Sequence, residues 1–578
     1  MPIPSSINPP FELLLLGPFG TVQHTPGFTA RQCLRIAPSR TAFCSPPLLL
    51  PEMTDVTVKT INGAESVVQA LVAGGVEVSF ANPGTSEMHF VAAVDRIDGM
   101  RCVLCLHETV TTGAADGYYR MAGKPASTLL HLGPGLANAL ANLHNLKRAR
   151  SGVVNIVGEH ATYHLRHDAL LTSDIQAIAK TMSHWVRTSS LESNAALDCA
   201  EAIFAASQPP GQIATLILPA DVAWSIAALP VMPKPAAIPA QVCDASIEAA
   251  AAALTGGGRI LMMLGGRALR EESLYEAGKI AAKTGARLSA EVANARLQRG
   301  AGRVAIERMP YPVPLALETT QGVTHVILVG AKAPVAVFAY PGKPSLLYPH
   351  DAKIITLAAP GDDIQDALER LVDKVGASKS TPVLNNRQCM ELPKGALTPL
   401  GIGAILCNLL PENAIVTDES ITTGRGFFRD THGAAPHDWL SLTGGAIGEG
   451  LPLAVGAAIA CPDRKIVALQ ADGAGMYSLQ AIWTIARERL DVTICIWANR
   501  AYAILKGEMA GVGGDGTGRK AQNMLSLADP PLDWVKLAAG MGVEGARVTS
   551  AEAFADVFGA AVRRKGPFLI EIDLSPSA

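Results

Sequence analysis

The chain lacks any apolar run of the eighteen or so residues that a membrane helix needs, so no helical membrane span is expected. It lacks a surplus of either charge. Its 48 Lys and Arg stand against 51 Asp and Glu, a net charge of −3, and this balance gives no electrostatic reason to expect nucleic acid as a partner. Charge is scarce altogether, at 17% of residues against 49% apolar, which excludes a disordered or fibrous chain and describes an Ala- and Gly-rich globular enzyme. The 10 cysteines show no framework spacing. Cys102 and Cys105 form a CxxC, but no second pair completes a zinc site, and both are expected to be buried reduced thiols. No GxGxxG with a suitably placed acid follows a strand, which argues against an NAD-dependent oxidoreductase.

Lysine is missing from residues 1–52, a stretch with ten prolines, three arginines and two acids. Two readings fit it: an organelle transit peptide, or an extension ahead of a start at Met53, the latter preferred. Either way it stands outside the fold. The protein is expected in the cytoplasm, or in an organelle if residues 1–52 direct import.

At 578 residues the chain is too long for a single core. Regular alternation begins near Lys59, with NGAESVVQALVAGGV as an amphipathic helix and VEVSFANPG as a strand entering a turn. Strands and helices keep alternating through MRCVLCLHE, ETVTTGAADGYYRMAG, ASTLLHLGPG, SGVVNIVGEH and QIATLILPADV. Three more strand-to-loop units, in RILMMLGGRAL, THVILVGAKAP and KIITLAAPG, make a middle block. The third block runs through NAIVTDES, WLSLTGGAIGEGLP, KIVALQADGAG, DVTICIWAN and GPFLIEIDL. The expected architecture is α/β, three doubly wound parallel-sheet domains at about 53–225, 240–377 and 397–578.

In the third block two apolar strands stop at Asp472 and Asn499, joined by YSLQAIWTIARERL, which reads as a helix. One βαβ unit brings both residues to the same ligand-binding edge. A carboxylate beside an amide oxygen suits Mg²⁺ or Ca²⁺, which commonly share phosphate oxygens, and the N–H groups of the DGAG turn suit a diphosphate. An Asp in that place also serves as a plain helix cap.

Asp472-Gly473-Ala474 with Asn499 resembles the signature of thiamine diphosphate-dependent enzymes. The resemblance extends over nearly the whole chain from Met53 and is strongest to the acetolactate synthase and benzoylformate decarboxylase branch. Phrases that carry it are FANPGTSEMHFVAA, GAADGYYRMAGKPA, LLHLGPGLANALANLHN and DWLSLTGGAIG. It implies thiamine diphosphate and Mg²⁺, with Asp472, Asn499 and the Ala501 carbonyl as metal ligands and Gly473 and Ala474 at the diphosphate. It implies that Glu108 exchanges a proton with the aminopyrimidine, that Ile447 wedges between the cofactor rings and that the Gly445 carbonyl accepts from the 4′-amino group. Glu419, Thr422 and Thr423 fall near the cofactor by the same likeness. Ala471, Ala474, Ala498 and Arg500 depart from the usual Gly, Ser, Asn and Gly, and Arg500 has to adopt the backbone angle that glycine favours.

On the substrate side the resemblance assigns proton transfer to His131, with Thr85 or Ser86 beside it and Thr85 as the matching position. His89 and His107 are weaker candidates. The second catalytic histidine of benzoylformate decarboxylase is missing from VAVFAYPG, which leans the reading towards carboligation. The implied activity is an acetolactate synthase-like decarboxylating carboligase acting on small 2-oxo acids. The alternatives are a benzoylformate-type decarboxylase or 2-hydroxyacyl lyase, or a catalytically silent paralogue. FAD, held by many acetolactate synthases, is allowed but not favoured. A homodimer or homotetramer is implied, because in this family the glutamate and the metal site come from different chains.

Overall fold

The computed structural model describes residues 60–574 apart from positions 515 and 517. The readings made for residues 1–52 lie outside that range.

The alternation closes into three sheets. The first comprises β1 (Val78–Asn82), β2 (Arg101–Leu104), β3 (Ala126–Leu130), β4 (Val153–Glu159), β5 (Trp185–Thr188) and β6 (Ile213–Pro219), all parallel, in the order β2-β1-β3-β4-β6-β5. Its interior strands β3, β4 and β6 are buried along their whole length, which is why they read as unbroken apolar or small-residue runs. The second sheet starts with β7 (Ile260–Leu264) and β8 (Arg287–Ala290). The chain then places β9 (Leu297–Arg299) elsewhere and returns with β10 (Glu307–Arg308), β11 (His325–Val329) and β12 (Lys353–Ala358), in the order β10-β8-β7-β11-β12.

The third sheet holds β13 (Ile415–Glu419), β14 (His437–Ser441), β15 (Ile466–Ala471), β16 (Val492–Ala498), β17 (Gly545–Val548) and β18 (Phe568–Asp573), in the order β17-β18-β16-β15-β13-β14-β9. The strand β9 pairs antiparallel to β14, so a piece of the middle block completes the third sheet, a crossing the sequence reading did not anticipate. The first and third sheets are fastened by the helices Glu108–Ala122 and Gly450–Ala460. Their backbones touch where Gly456 lies: a Cβ there would fall 1.8 Å from the Ala114 carbonyl oxygen.

One expectation fails at an edge. Cys105 is buried, but Cys102 is exposed, because β2 is the outermost strand of its sheet and one of its faces meets solvent. Among the described residues no helix is long and apolar enough to cross a membrane.

Strand order decides where a site can form. In the first sheet the chain runs from β1 outward to β2, then returns to place β3 on the other side of β1. The third sheet repeats this with β13, β14 and β15. Each reversal opens a crevice at the carboxyl ends of the strands. The residues after β1 and β3 are Pro83–Glu87 and His131; those after β13 and β15 are Ser420 and Asp472.

Candidate functional site

The two strand tips singled out in the sequence come to one edge of the third sheet. Ala471 is in register with Trp497 across β15 and β16, which sets Asp472 and Asn499 on one edge. The Arg500 N–H donates to Asp472 Oδ2 at 2.7 Å, the Gly473 N–H donates to Oδ1 at 2.8 Å, and the Ala501 N–H donates to Asn499 Oδ1 at 3.0 Å. Burial raises the Asp472 carboxyl above its ordinary value, and these N–H donors pull against that rise. Arg500 has φ of +54°, the left-handed conformation its position requires, and its guanidinium is tied to Asp573 at 2.7 Å.

The donor set at this edge is one carboxylate, one amide oxygen and the neighbouring Ala501 carbonyl. These are hard oxygens of the kind Mg²⁺ takes together with phosphate. Gly473 is needed for close approach, since a Cβ there would fall 2.6 Å from the Tyr502 ring. The helix read over YSLQAIWTIARERL is shorter than expected. Asp472–Gly475 forms a single helical turn, and the following helix begins only at Gln480 and ends at Arg487.

The loop after β14 carries Gly445, at φ +77°, and the half-buried Ile447. It is gripped from two sides. Glu419, buried at the end of β13, accepts the N–H groups of Gly448 at 2.7 Å and Gly450 at 2.9 Å, and the Gln470 amide at 2.8 Å. Burial raises the Glu419 carboxyl, and Gln470 and the backbone donors oppose the rise. From the first sheet's side, Asn145 Nδ2 donates to the Ala446 carbonyl at 2.8 Å and Oδ1 accepts the Ala446 N–H at 3.2 Å. Asn142 donates to the Gly448 carbonyl at 3.3 Å, and His144 Nε2 lies 3.0 Å from the Gly444 carbonyl. Sequence reasoning missed these clamps. Their signal was present as Asn138, Asn142 and Asn145, a polar stripe at helical spacing in the helix Leu132–Ala149.

Glu108 opens the helix Glu108–Ala122 and is buried, with Asn138 Nδ2 donating to Oε2 at 3.0 Å. His131 ends β3. A Cβ on Gly135 would lie 3.0 Å from Glu108 Oε1 and 3.3 Å from His131 Cβ, so the carboxyl and the histidine border one crevice. The side chain beside the ring is Ser86, whose Oγ is 3.3 Å from His131 Nδ1, whereas Thr85 is exposed. Glu87, which sequence reasoning passed over, lies 2.9 Å from that same nitrogen. His107 caps the helix by accepting the Thr109 N–H at 3.1 Å, and His89 lies against Trp224 with ring centroids 5.6 Å apart.

Comparison with known proteins adds to this geometry. Residues 61–178 match the family model described as "Thiamine pyrophosphate enzyme, N-terminal TPP binding domain", and residues 428–572 match its C-terminal TPP binding domain. The chain is 49% identical over 515 residues to a Mycobacterium tuberculosis protein named "Putative acetolactate synthase large subunit IlvX", covering 89% of this chain and 99% of that one. It is 26% identical to benzoylformate decarboxylase of Pseudomonas aeruginosa, over 89% of this chain and 99% of the other. Its fold matches that of a 4-hydroxybenzoylformate decarboxylase of Rhodococcus jostii, with TM-score 0.78 at 24% identity, covering 89% of this chain and 100% of that one.

Proposed function

The chain belongs to the thiamine pyrophosphate enzyme family, and from that premise we propose that it is a decarboxylating carboligase of small 2-oxo acids, acetolactate synthase-like and Mg²⁺-dependent. The observation that carries the reading is the pair of strand tips, Asp472 and Asn499, set on one edge with the Arg500 N–H oriented onto the carboxylate. The residues present fit the implied group. Asp472, Asn499 and the Ala501 carbonyl would hold the metal, Gly473 and Ala474 the diphosphate, Gly445 and Ile447 the ring system, and Glu108 the aminopyrimidine. What thiamine diphosphate supplies when bound is a sink for the electron pair released as a 2-oxo acid loses CO₂.

The chain's own residues do the rest. Glu108, screened from water and oriented by Asn138, holds a proton at its carboxyl and passes it over a short distance. His131 borders the same crevice and carries a proton to or from a carbonyl oxygen of the substrate, with Ser86 and Thr85 at the crevice mouth. Asn145 and Glu419 keep the 443–450 backbone from shifting.

A second copy of the chain belongs to this reading, as a homodimer or homotetramer. That assembly rests on the family likeness, in which the glutamate and the metal site come from different chains.

One observation favours the second reading, a benzoylformate decarboxylase-like enzyme releasing free aldehyde: His131 is already hydrogen-bonded in the crevice, as an enzyme that protonates its product requires. Incubation with thiamine diphosphate, Mg²⁺ and either pyruvate or benzoylformate separates the two. Acetolactate from pyruvate supports carboligation, and free aldehyde supports the alternative. Absence of both products, together with no aminopyrimidine circular dichroism signal on adding thiamine diphosphate, would mark a silent paralogue and sink the proposal.

A further inference from the structure

The first sheet sets a second carboxylate against the histidine at its switch point. Glu87, only 4% exposed, stands on the short turn that follows β1. Its Oε2 accepts the Gly84 N–H at 2.7 Å and lies 2.9 Å from His131 Nδ1, and its Oε1 accepts the Ser86 hydroxyl at 2.7 Å. The surrounding backbone makes room for this contact. A Cβ at Gly84 would fall 2.1 Å from the His131 ring, and one at Gly158, on β4, would fall 1.8 Å from Glu87 Oε1. Leu132, directly after His131, has φ of +51°, a conformation that costs a non-glycine residue about 1 kcal/mol or more. Three separate segments thus give way to bring one carboxylate to one imidazole.

We propose that Glu87 is the positioning residue of His131: it holds the ring as the Nδ1–H tautomer and so leaves the lone pair on Nε2 as the atom that handles protons in the crevice. The inference deepens the function proposed above and rests on it for the meaning of that proton. The tautomer itself follows from hydrogen-bond accounting. The Gly84 N–H can only donate, and the Ser86 hydroxyl spends its hydrogen on Oε1. With both of its oxygens facing donors, Glu87 is arranged as an acceptor, and on that geometry the hydrogen between it and Nδ1 is assigned to the imidazole. The ring contacts to Glu87 and Ser86 both fall on Nδ1, which keeps Nε2 clear of them. When Nε2 takes a proton, the carboxylate stays paired with the resulting imidazolium. The other titratable groups on the elements packed here are His107 and Glu108 after β2, Glu159 and His160 at the end of β4, His89, Asp95 and Arg96 on the helix that follows Glu87, and His144, Lys147 and Arg148 on the helix that follows His131; Glu87 is the one of these bonded to the ring.

The test is nitrogen-15 NMR of the histidine rings in holoenzyme, with His131 assigned by the signals lost in His131→Gln. In the wild type, Nδ1 is expected to show the protonated shift and Nε2 the bare-nitrogen shift at neutral pH. Glu87→Ala should move the ring to the Nε2–H form and lower kcat tenfold or more, with KM changed less than twofold. Glu87→Gln keeps its amide oxygen on the Gly84 N–H and on Nδ1–H and turns its NH₂ to the Ser86 hydroxyl, so it should retain the wild-type tautomer and most of the turnover. An Nε2–H ring in the wild type or in Glu87→Gln, or a Glu87→Ala ring that stays Nδ1–H, overturns the proposal. If Glu87→Ala does not fold, the wild-type and Glu87→Gln spectra still decide it. A wild type with the Nδ1–H ring and no turnover of any 2-oxo acid upholds the positioning and sinks the functional reading alone.

Discussion

Asn145 holds Ala446 by both of its polar backbone atoms, accepting the N–H at 3.2 Å and donating to the carbonyl at 2.8 Å. The two residues are 301 positions apart, and the grip lies between Gly445 and Ile447. Asn145→Ala would strip two backbone groups of their partners, at a cost of about 1–3 kcal/mol for each group left buried and unsatisfied. Turnover is expected to fall with stability. Urea denaturation and steady-state kinetics on the same preparation check both, and a variant with unchanged kcat would show that the loop needs no clamp.

Glu108→Gln keeps an acceptor for Asn138 but cannot pass a carboxyl proton. At least a tenfold loss of turnover is expected, at the low end of what a general acid–base group contributes, with an unchanged urea midpoint. Full turnover in this variant would remove Glu108 from the chemistry.

Arg500 combines a left-handed backbone with an ion pair to Asp573. Arg500→Gly removes the backbone strain and the ion pair together, so little net change in stability is expected. Arg500→Ala loses the ion pair and keeps the strain, and should be less stable than the glycine variant by about 1 kcal/mol. Denaturant midpoints of the two variants side by side give the comparison.

Arg120 is buried between Asp116, at 2.5 Å, and Glu449, at 2.7 Å, and also donates to the Ser441 carbonyl at 2.8 Å. It ties the helix after β2 to the third sheet. Arg120→Leu would leave two carboxyl groups buried without their cation, at a cost of about 3–5 kcal/mol. A large drop in denaturation midpoint or in soluble yield is the expected result.

His437 is buried with Nδ1 2.7 Å from the Ala435 carbonyl and Arg299 Nη1 3.4 Å from Nε2, so the ring is neutral. Burial, and behind it the Arg299 guanidinium, lowers its pKa to about 3. With the folded value depressed below the ordinary histidine value, the unfolded chain binds the extra proton first. Stability is therefore full above about pH 6.5 and is lost as pH falls towards 3, by about 2 kcal/mol at pH 5. His437→Gln should flatten the slope between pH 7 and 5, read from urea midpoints at each pH.

The sequence by itself determined the strands at the heart of each sheet. Runs such as VVNIVGE and VTICIWA, short, β-branched and bounded by turn residues, read as interior parallel strands and are buried over their whole length as β4 and β16. It also determined the chemistry of the strand tips, since Asp472 and Asn499 follow directly on such runs, whereas the left-handed Arg500 was expected only through the family resemblance. Short or peripheral strands stayed illegible. β5, β10 and β17 are edge strands at most partly buried, and a half-covered strand of two to four residues carries no distinctive pattern. β9 could not be foreseen because its partner, β14, belongs to another block of the chain.

Tertiary structure alone decided which groups orient the site: Glu87 on His131, Asn138 on Glu108, and Asn145 with Glu419 on the 443–450 backbone. The physical reason is one of range. Burial and strand pairing leave a periodic imprint on neighbouring residues, whereas a hydrogen bond between positions tens or hundreds of residues apart leaves none until packing brings its two ends within 3 Å.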